Sequence, residues 1–291
     1  MDIRNVQKTG DMFYLYLPTR WCKKFNISGK SKVGVQVNKD GSLAIYPQAK
    51  TEKPVHLSLK TNGEMAQSLH KLIIASYISP ANSFKITVDK ELDYATILNQ
   101  KNLVSLELVE IDGKHITCES SIKVADPSAL LVTMIRKVRN LLLVMSKGAP
   151  QELIDRYESE IDRSKLLIER SVIASFVNPA ESQNTTVELH FTSLISKELE
   201  RLVDHVIALK KPTAVFLKTI GKILADLQDL LQDSFKNLDP ERAVAFCNQV
   251  DGQQGIEVKS IETYDLRRSV RALNAISEVV IDWAVIRQME R

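Results

Sequence analysis

Three segments of helical pattern carry acids four residues apart: Glu158 and Asp162, Glu200 and Asp204, Glu278 and Asp282. That spacing sets both carboxylates on one helix face, where like charges repel by roughly 0.2–0.5 kcal/mol. A bridging cation reverses the sign. Carboxylate oxygens from two facing helices suit Mg²⁺, Mn²⁺, Ca²⁺ or iron. The same pairs also occur on ordinary solvated faces, so spacing alone leaves both readings open. A further acid, Asp251, has Cys247 four residues before it where an acid would complete a pair.

The second constellation is basic. Residues 1–50 hold nine Lys/Arg and three acids, a net of +6, and the other 241 residues net −3. The whole-chain charge of +3 hides this split. A local excess is what phosphate neutralisation needs, and such binding is salt-sensitive. Arg4, Lys8, Arg20, Lys23 and Lys24 are the candidates for phosphate contact, with a solvated lysine surface as the plain alternative.

Nothing else assembles into a catalytic site. His56, His70 and His115 are isolated, and His190 and His205 stand about four turns apart on one helix. His205, beside Asp204, is the histidine to watch. There is no G-x-S-x-G, P-loop or G-x-G-x-x-G. Cys22, Cys118 and Cys247 are far apart, which excludes close-spaced zinc ligation and fits a reducing compartment. The start of the chain has no apolar leader, and the run Leu141–Met145 is too short to span a bilayer. The expectation is a cytoplasmic binding protein, not an enzyme.

Three regions must position these residues. The chain has 291 residues, 44% hydrophobic and 26% charged, enough for a core without staples. Residues 1–50 read as short strands over Ile3–Lys8, Phe13–Leu17, Val33–Val37 and Leu43–Tyr46, with a helix capped by Thr19 and running to Phe25. Asp40-Gly41 is a hairpin turn pair. So small a unit cannot bury an adequate core alone, and two interleaved copies would solve that. Residues 51–125 read as a small α+β unit. It has strands at Val55–Leu59 and Phe84–Val88, a helix bearing Met65, Leu69 and Ile73, a short helix at Leu92–Leu98, and a hairpin about Asp112-Gly113. Residues 126–291 read as six long one-faced helices, opened by Asp126-Pro127 and Asp239-Pro240 and broken at Gly148-Ala149-Pro150 and Asn178-Pro179. They fall into two sets of three, 126–211 and 212–291, as an internal duplication would. Trp21, Trp283 and the inward methionines read as core.

Two resemblances sharpen this. Tyr16-Leu17-Pro18-Thr19-Arg20-Trp21, then Phe25, Ile27, Val33, Val35, Val37, Asp40-Gly41, Leu43, Ile45 and Pro47 resemble the AbrB/SpoVT swapped-hairpin domain over residues ~3–48. Gly29 comes early, and Lys30-Ser31 fills the place of that family's usual Gly-Asp. The resemblance implies a dimeric fold that binds double-stranded DNA. Over 126–291, Glu198-Leu199-Glu200-Arg201-Leu202-Val203-Asp204-His205 is similar to a motif of the PhoU proteins, regulators of phosphate uptake. Val203 replaces a glycine of that motif, Glu158 to Asp162 resembles its partner, and Glu278 to Asp282 matches its place in the second repeat. This likeness implies a divalent or iron cluster (Fe, Mn, Mg or Zn) on the acidic face, held by Glu158, Asp162, Glu200, Asp204, Asp251, Glu278 and Asp282.

The expectation is thus a multidomain chain: a β-rich swapped-hairpin domain (1–50), an α+β connecting unit (51–125) and an all-α domain of two three-helix repeats (126–291). It would be a homodimeric DNA-binding regulator of phosphate homeostasis. The rival is an adaptor without DNA contact that dimerises through its first domain. It would dock on a phosphate ABC transporter or a signalling kinase.

Overall fold

The computed structural model describes residues 3–37, 41–47, 54–62, 66–91, 109–119, 126–179, 182–209, 212–235, 237–253, 257 and 259–289. Asp40, Met65, the expected helix at Leu92–Leu98 and residues 104–108 of the expected hairpin lie outside them. Two compact units emerge, residues 1–53 and 54–291. Small sheets lie toward the start, and the remainder is largely helical.

In the first unit, β1 (Gln7–Thr9) pairs antiparallel with β2 (Met12–Tyr14) around Gly10. Both strands are shorter than the sequence pattern suggests. Ile3, Val6, Leu15 and Tyr16 are exposed, so no buried face extends the pairing in one chain. The helix α1 (Thr19–Lys24) follows. Its N-cap is Pro18 rather than Thr19: Pro18 is the extended residue, and its carbonyl accepts the first helical bond from the Cys22 amide. At the other end Asn26 takes φ 53°, the Ile27 amide bonds the Cys22 carbonyl and the Asn26 amide the Lys23 carbonyl. This is a Schellman stop, made with the side chain that tolerates a left-handed backbone best after glycine. Trp21 is half-buried against Phe25 of its own helix, not in a core. Then β3 (Gly34–Val37) and β4 (Leu43–Tyr46) form a hairpin registered Val35 to Ile45 and Val37 to Leu43.

The second unit begins with a four-stranded sheet in the order β5 (His56–Thr61), β6 (Ser83–Val88), β8 (His115–Glu119), β7 (Val109–Asp112). β5 and β6 are parallel, and the crossover that parallel pairing requires is α2 (Ala66–Ile78). β7 and β8 are antiparallel and turn through Gly113 at φ 54°. Burial alternates along β6 and β8, the period of a sheet with one covered face. Phe84, Ile86, Val88, Ile116 and Cys118 meet Leu69, Ile73 and Tyr77 of α2.

On α2, burial holds the His70 imidazole below its ordinary value of 6.5. Its buried Nδ1 has no hydrogen-bond partner among the described residues. The fold favours the neutral ring, while the unfolded chain accepts a proton near pH 6.5. Stability is therefore independent of this group above that pH and falls as pH drops below it. His70→Gln should lessen the drop in thermal midpoint between about pH 7.5 and about pH 5.5. An unchanged pH profile would remove His70 as its source.

Among the described residues six helices follow: α3 (Pro127–Ser146), α4 (Gln151–Val177), α5 (Thr186–Ala208), α6 (Ala214–Phe235), α7 (Pro240–Asp251) and α8 (Ile261–Met289). Their ends are written in side chains. Asp126 accepts from the Ser128 amide with Pro127 at the first turn, and Asp239 accepts from the Arg242 amide with Pro240 after it. Thr185 and Glu188 make a reciprocal capping box. Gly148, at φ 74°, closes α3, its amide bonded to the Met145 carbonyl and the next amide to the Val144 carbonyl.

The first helices of the two sets pack together, α3 on α6, and so do the third, α5 on α8. Their shared core includes Met134, Leu141, Leu199, Leu227, Ile276 and Val280. Trp283 sits at its centre, fully buried, 4.3 Å from the ring of Phe235 and stacked at 5.6 Å on Phe191. Phe235 ends α6 at φ 61°, an uncommon backbone for a bulky residue, with its ring sealed in that core. Among the described residues, no helix is long and apolar enough to cross a membrane.

Arg170 of α4 joins the sheet to the bundle. Its guanidinium is buried, donates through Nη1 to the Tyr77 carbonyl and through Nη2 to the Ala81 carbonyl at 2.9 Å, and lies 5.3 Å from the Tyr77 ring centroid. Leu166, one turn earlier, completes the sheet's core.

Candidate functional site

The acid pairs take three different environments. On α4, Glu158 and Asp162 are buried, so of the two readings left open by their spacing the solvated face does not hold there. This helix packs on α2, α3 and α5, so its buried arc is wide and takes in polar positions. On α5, Glu200 is half-buried and Asp204 exposed. On α7 and α8, Asp251, Glu278 and Asp282 are exposed.

Lysines occupy the seams between these helices. Lys165 of α4 lies 3.1 Å from Glu200 Oε1 of α5, and Lys197 of α5 lies 3.9 Å from Glu169 of α4. Lys137 of α3 reaches Glu160 of α4 at 3.6 Å and donates to Ser164 Oγ at 3.1 Å. Glu278 accepts from its own-helix neighbour Asn274 at 2.8 Å, and the Cys247 thiol approaches Asp251 Oδ2 at 3.8 Å. Glu158, Asp162, Asp204 and Asp251 each hold an interaction as well.

Among the described residues no three His, Cys, Asp or Glu side chains gather as a metal-ligand set. The donor set that the PhoU likeness implies is therefore not drawn together in this structure. An ammonium group stands on Glu200, the acid expected to bridge to α4.

A long-range cluster joins α5 to α8 instead. His205 Nδ1 lies 3.0 Å from Asp265 Oδ1, and Arg268 Nε donates to His205 Nε2 at 3.4 Å. With Nε2 accepting, Nδ1 carries the proton and donates to the buried Asp265 carboxylate. Tyr264 packs edge-on against the ring. Asp265 and Arg268 were not singled out in the sequence. A signal existed, because the apolar stripe Trp283, Val280, Ile276, Leu273 extends back through Ser269 to Asp265. An acid in phase with a core stripe asks for a buried partner.

Asp282 lines a hollow of about 580 Å³ with Phe176, His190, Phe191, Val285 and Ile286. Its walls are mainly apolar, and Phe176, Val285 and Ile286 are exposed.

The basic candidates lie in the first unit and all five are exposed. Arg20, Lys23 and Lys24 share α1, with Arg20 and Lys24 one turn apart, and none of the three pairs with a carboxylate among the described residues. Lys23 and Lys24 in the last turn also suit the negative end of the helix dipole. Lys8 on β1 sits 5.5 Å from the Phe13 ring, and Lys24 lies equally far from Phe25. Aromatic rings interleaved with cations provide stacking surface beside charge.

No family model and no solved structure matches the chain. A ninein-like protein of Danio rerio is 27% identical over 193 residues, 63% of this chain. The chain spans only 14% of that protein's length. A likeness so partial assigns no family.

The three thiols separate by environment. Cys118 is buried in the sheet, and burial pushes its thiol up, with Arg170 nearby opposing the shift. Cys22 and Cys247 are half-buried. Labelling the native chain with a disulfide reagent should modify Cys22 and Cys247 quickly and Cys118 only after unfolding. Three equally fast thiols would contradict the described packing.

Proposed function

We propose that the chain is a homodimeric DNA-binding regulator, with the first unit on the duplex and the helical bundle as a PhoU-like module that reports phosphate status through a protein partner. The observation that carries this reading is the state of the first unit. None of its described residues is buried, while Phe13, Tyr16, Val35, Val37 and Leu43 are exposed beside an excess of base. A segment with that much uncovered apolar surface folds stably only against a partner, and a second copy gives two basic faces related by a two-fold axis. A duplex with pseudo-two-fold sites matches such an arrangement. Pairing of α3 with α6 and of α5 with α8 supports the reading of the bundle as two three-helix repeats. The lysine-filled seams favour a protein partner over a metal as the input, a phosphate transporter or a signalling kinase being the candidates.

The test is retention of duplex fragments from the promoter region next to the chain's own gene, measured by fluorescence anisotropy across a salt series. Each phosphate contact contributes about 0.9 to the slope of log affinity against log salt. Arg20→Ala/Lys23→Ala/Lys24→Ala should flatten that slope and weaken binding to every sequence alike. Salt-independent or absent retention by the wild-type protein would sink the DNA reading.

The exposed apolar hollow at Phe176, Val285 and Ile286 favours a second reading. In it the chain is an adaptor that dimerises through the first unit and docks on a partner without touching DNA. The triple variant discriminates, because partner binding in that case is unaffected by the loss of base.

A further inference from the structure

Between α3 and α6 lies a second cavity, of about 310 Å³, whose polar lining differs in kind from the seams elsewhere in the bundle. Arg136 and Arg139 come from α3 and Lys218 from α6, and no lining residue is acidic. None of the three pairs with a carboxylate among the described residues. Elsewhere in this bundle lysines at helix seams find acids, as Lys165 finds Glu200 and Lys137 finds Glu160. Three uncompensated cations on one cleft repel one another, and an anion between them reverses the sign.

Two details show a shaped site rather than a basic surface. Arg139 is half-buried and its Nη1 donates to Gln228 Oε1 at 2.7 Å, and Gln228 is itself buried. That bond fixes the plane of the guanidinium while leaving it further N–H donors. On α6, Gly221 stands one turn from Lys218, and a Cβ there would meet nothing within 4 Å. Glycine in a helix costs about 0.5–1 kcal/mol relative to alanine, and no close contact requires it here. It leaves bare backbone and open space at that stretch of the cavity lining.

We propose that this cleft binds a phosphate group, as free inorganic phosphate or as a small organic phosphomonoester. A guanidinium presents parallel N–H donors that fit two oxygens of a tetrahedral anion, and Lys218 adds a point charge at the mouth. Leu142, Leu143 and Leu217 form an apolar wall beside them, which suits a carbon skeleton attached to the phosphate. The site stands on these residues and does not depend on DNA contact or on a protein partner.

Isothermal titration of the full chain with inorganic phosphate, phenyl phosphate and sulfate tests it. Phosphate or phenyl phosphate should bind, and Arg139→Met should weaken binding at least tenfold, the loss of one charge-assisted contact. Gly221→Leu should abolish binding while raising or preserving the thermal midpoint, because it fills the cavity with a better helix former. Lys222→Met, one turn beyond Lys218 and outside the lining, should bind as wild type does. Phenyl phosphate binding tenfold tighter than phosphate makes the organic ester the ligand, and equal binding makes it the free ion. If Arg139→Met unfolds, Lys218→Met replaces it, since that exposed side chain supports no packing. Absence of binding at millimolar ligand, or binding equal in wild type, Gly221→Leu and the cation variants, would overturn the site.

Discussion

Replacing Arg170 by alanine is expected to lower the unfolding free energy of the second unit by about 3 kcal/mol. Arg170 is 7% exposed, and its guanidinium supplies the donors for the Tyr77 and Ala81 carbonyls at the end of α2 and the approach to β6. Each stranded buried carbonyl costs about 1–3 kcal/mol. The full sum is not reached, because the substitution also removes a buried charge whose guanidinium burial already holds below its ordinary value. Arg170→Met keeps the stem volume and isolates the loss of the two hydrogen bonds. Arg170→Lys leaves one donor head that cannot straddle both carbonyls. The expected order of stability is wild type, lysine, methionine, alanine, measured by urea unfolding. The alanine loss is a large share of the 5–15 kcal/mol typical of a folded protein. Because Arg170 links sheet to bundle, the alanine variant should also unfold in two steps, with Cys118 labelled in the first. A loss below about 1 kcal/mol, with a single transition kept, would show that Leu166 and its apolar neighbours hold the two layers without the clamp.

The helical half was legible because its signals are local. A 3.6-residue apolar period gave each helix, and Asp126-Pro127, Asp239-Pro240 and Lys147-Gly148 marked ends that the structure closes with caps and a Schellman stop. The chemistry was less legible because it depends on pairs far apart in the chain. Nothing near His205 announces Asp265, sixty residues on, and nothing near Arg170 points to a carbonyl at Ala81. The i, i+4 spacing of the acids on α4 sets them on one face but does not say which way that face turns. A helix enclosed on several sides buries Glu158 and Asp162 as well as Ile161. Lys165 offered no hint either, since a lysine in a polar run is ordinary until its partner helix is placed. In the first unit β1 and β2 came out shorter than their β-type composition suggested, for the opposite reason. Composition reports the surface a strand wants to bury, and a lone copy offers nothing to bury it against.

That deficit makes the second large effect. Val35→Glu with Val37→Glu is expected to convert the protein from dimer to monomer and to abolish retention of duplex DNA. Along β3 burial alternates, and the two valines occupy the exposed phase beside Leu43 of β4. Burying a valine fully contributes about 1.5–3 kcal/mol, and a symmetric interface counts each side chain twice. Losing those contributions and placing four carboxylates in the interface should weaken association by on the order of a thousandfold or more. The second unit has its own core, so its thermal transition should remain. That persistence separates loss of association from general misfolding. Sedimentation at micromolar concentration reads the mass, and anisotropy reads the DNA. A wild-type protein that sediments as a monomer removes the dimer, and with it the paired basic faces. A double variant that stays dimeric would place the contact on another surface. If it becomes monomeric yet keeps salt-dependent DNA binding, one copy of α1 and its cations suffices, and the two-fold match to the duplex is not how the protein holds DNA.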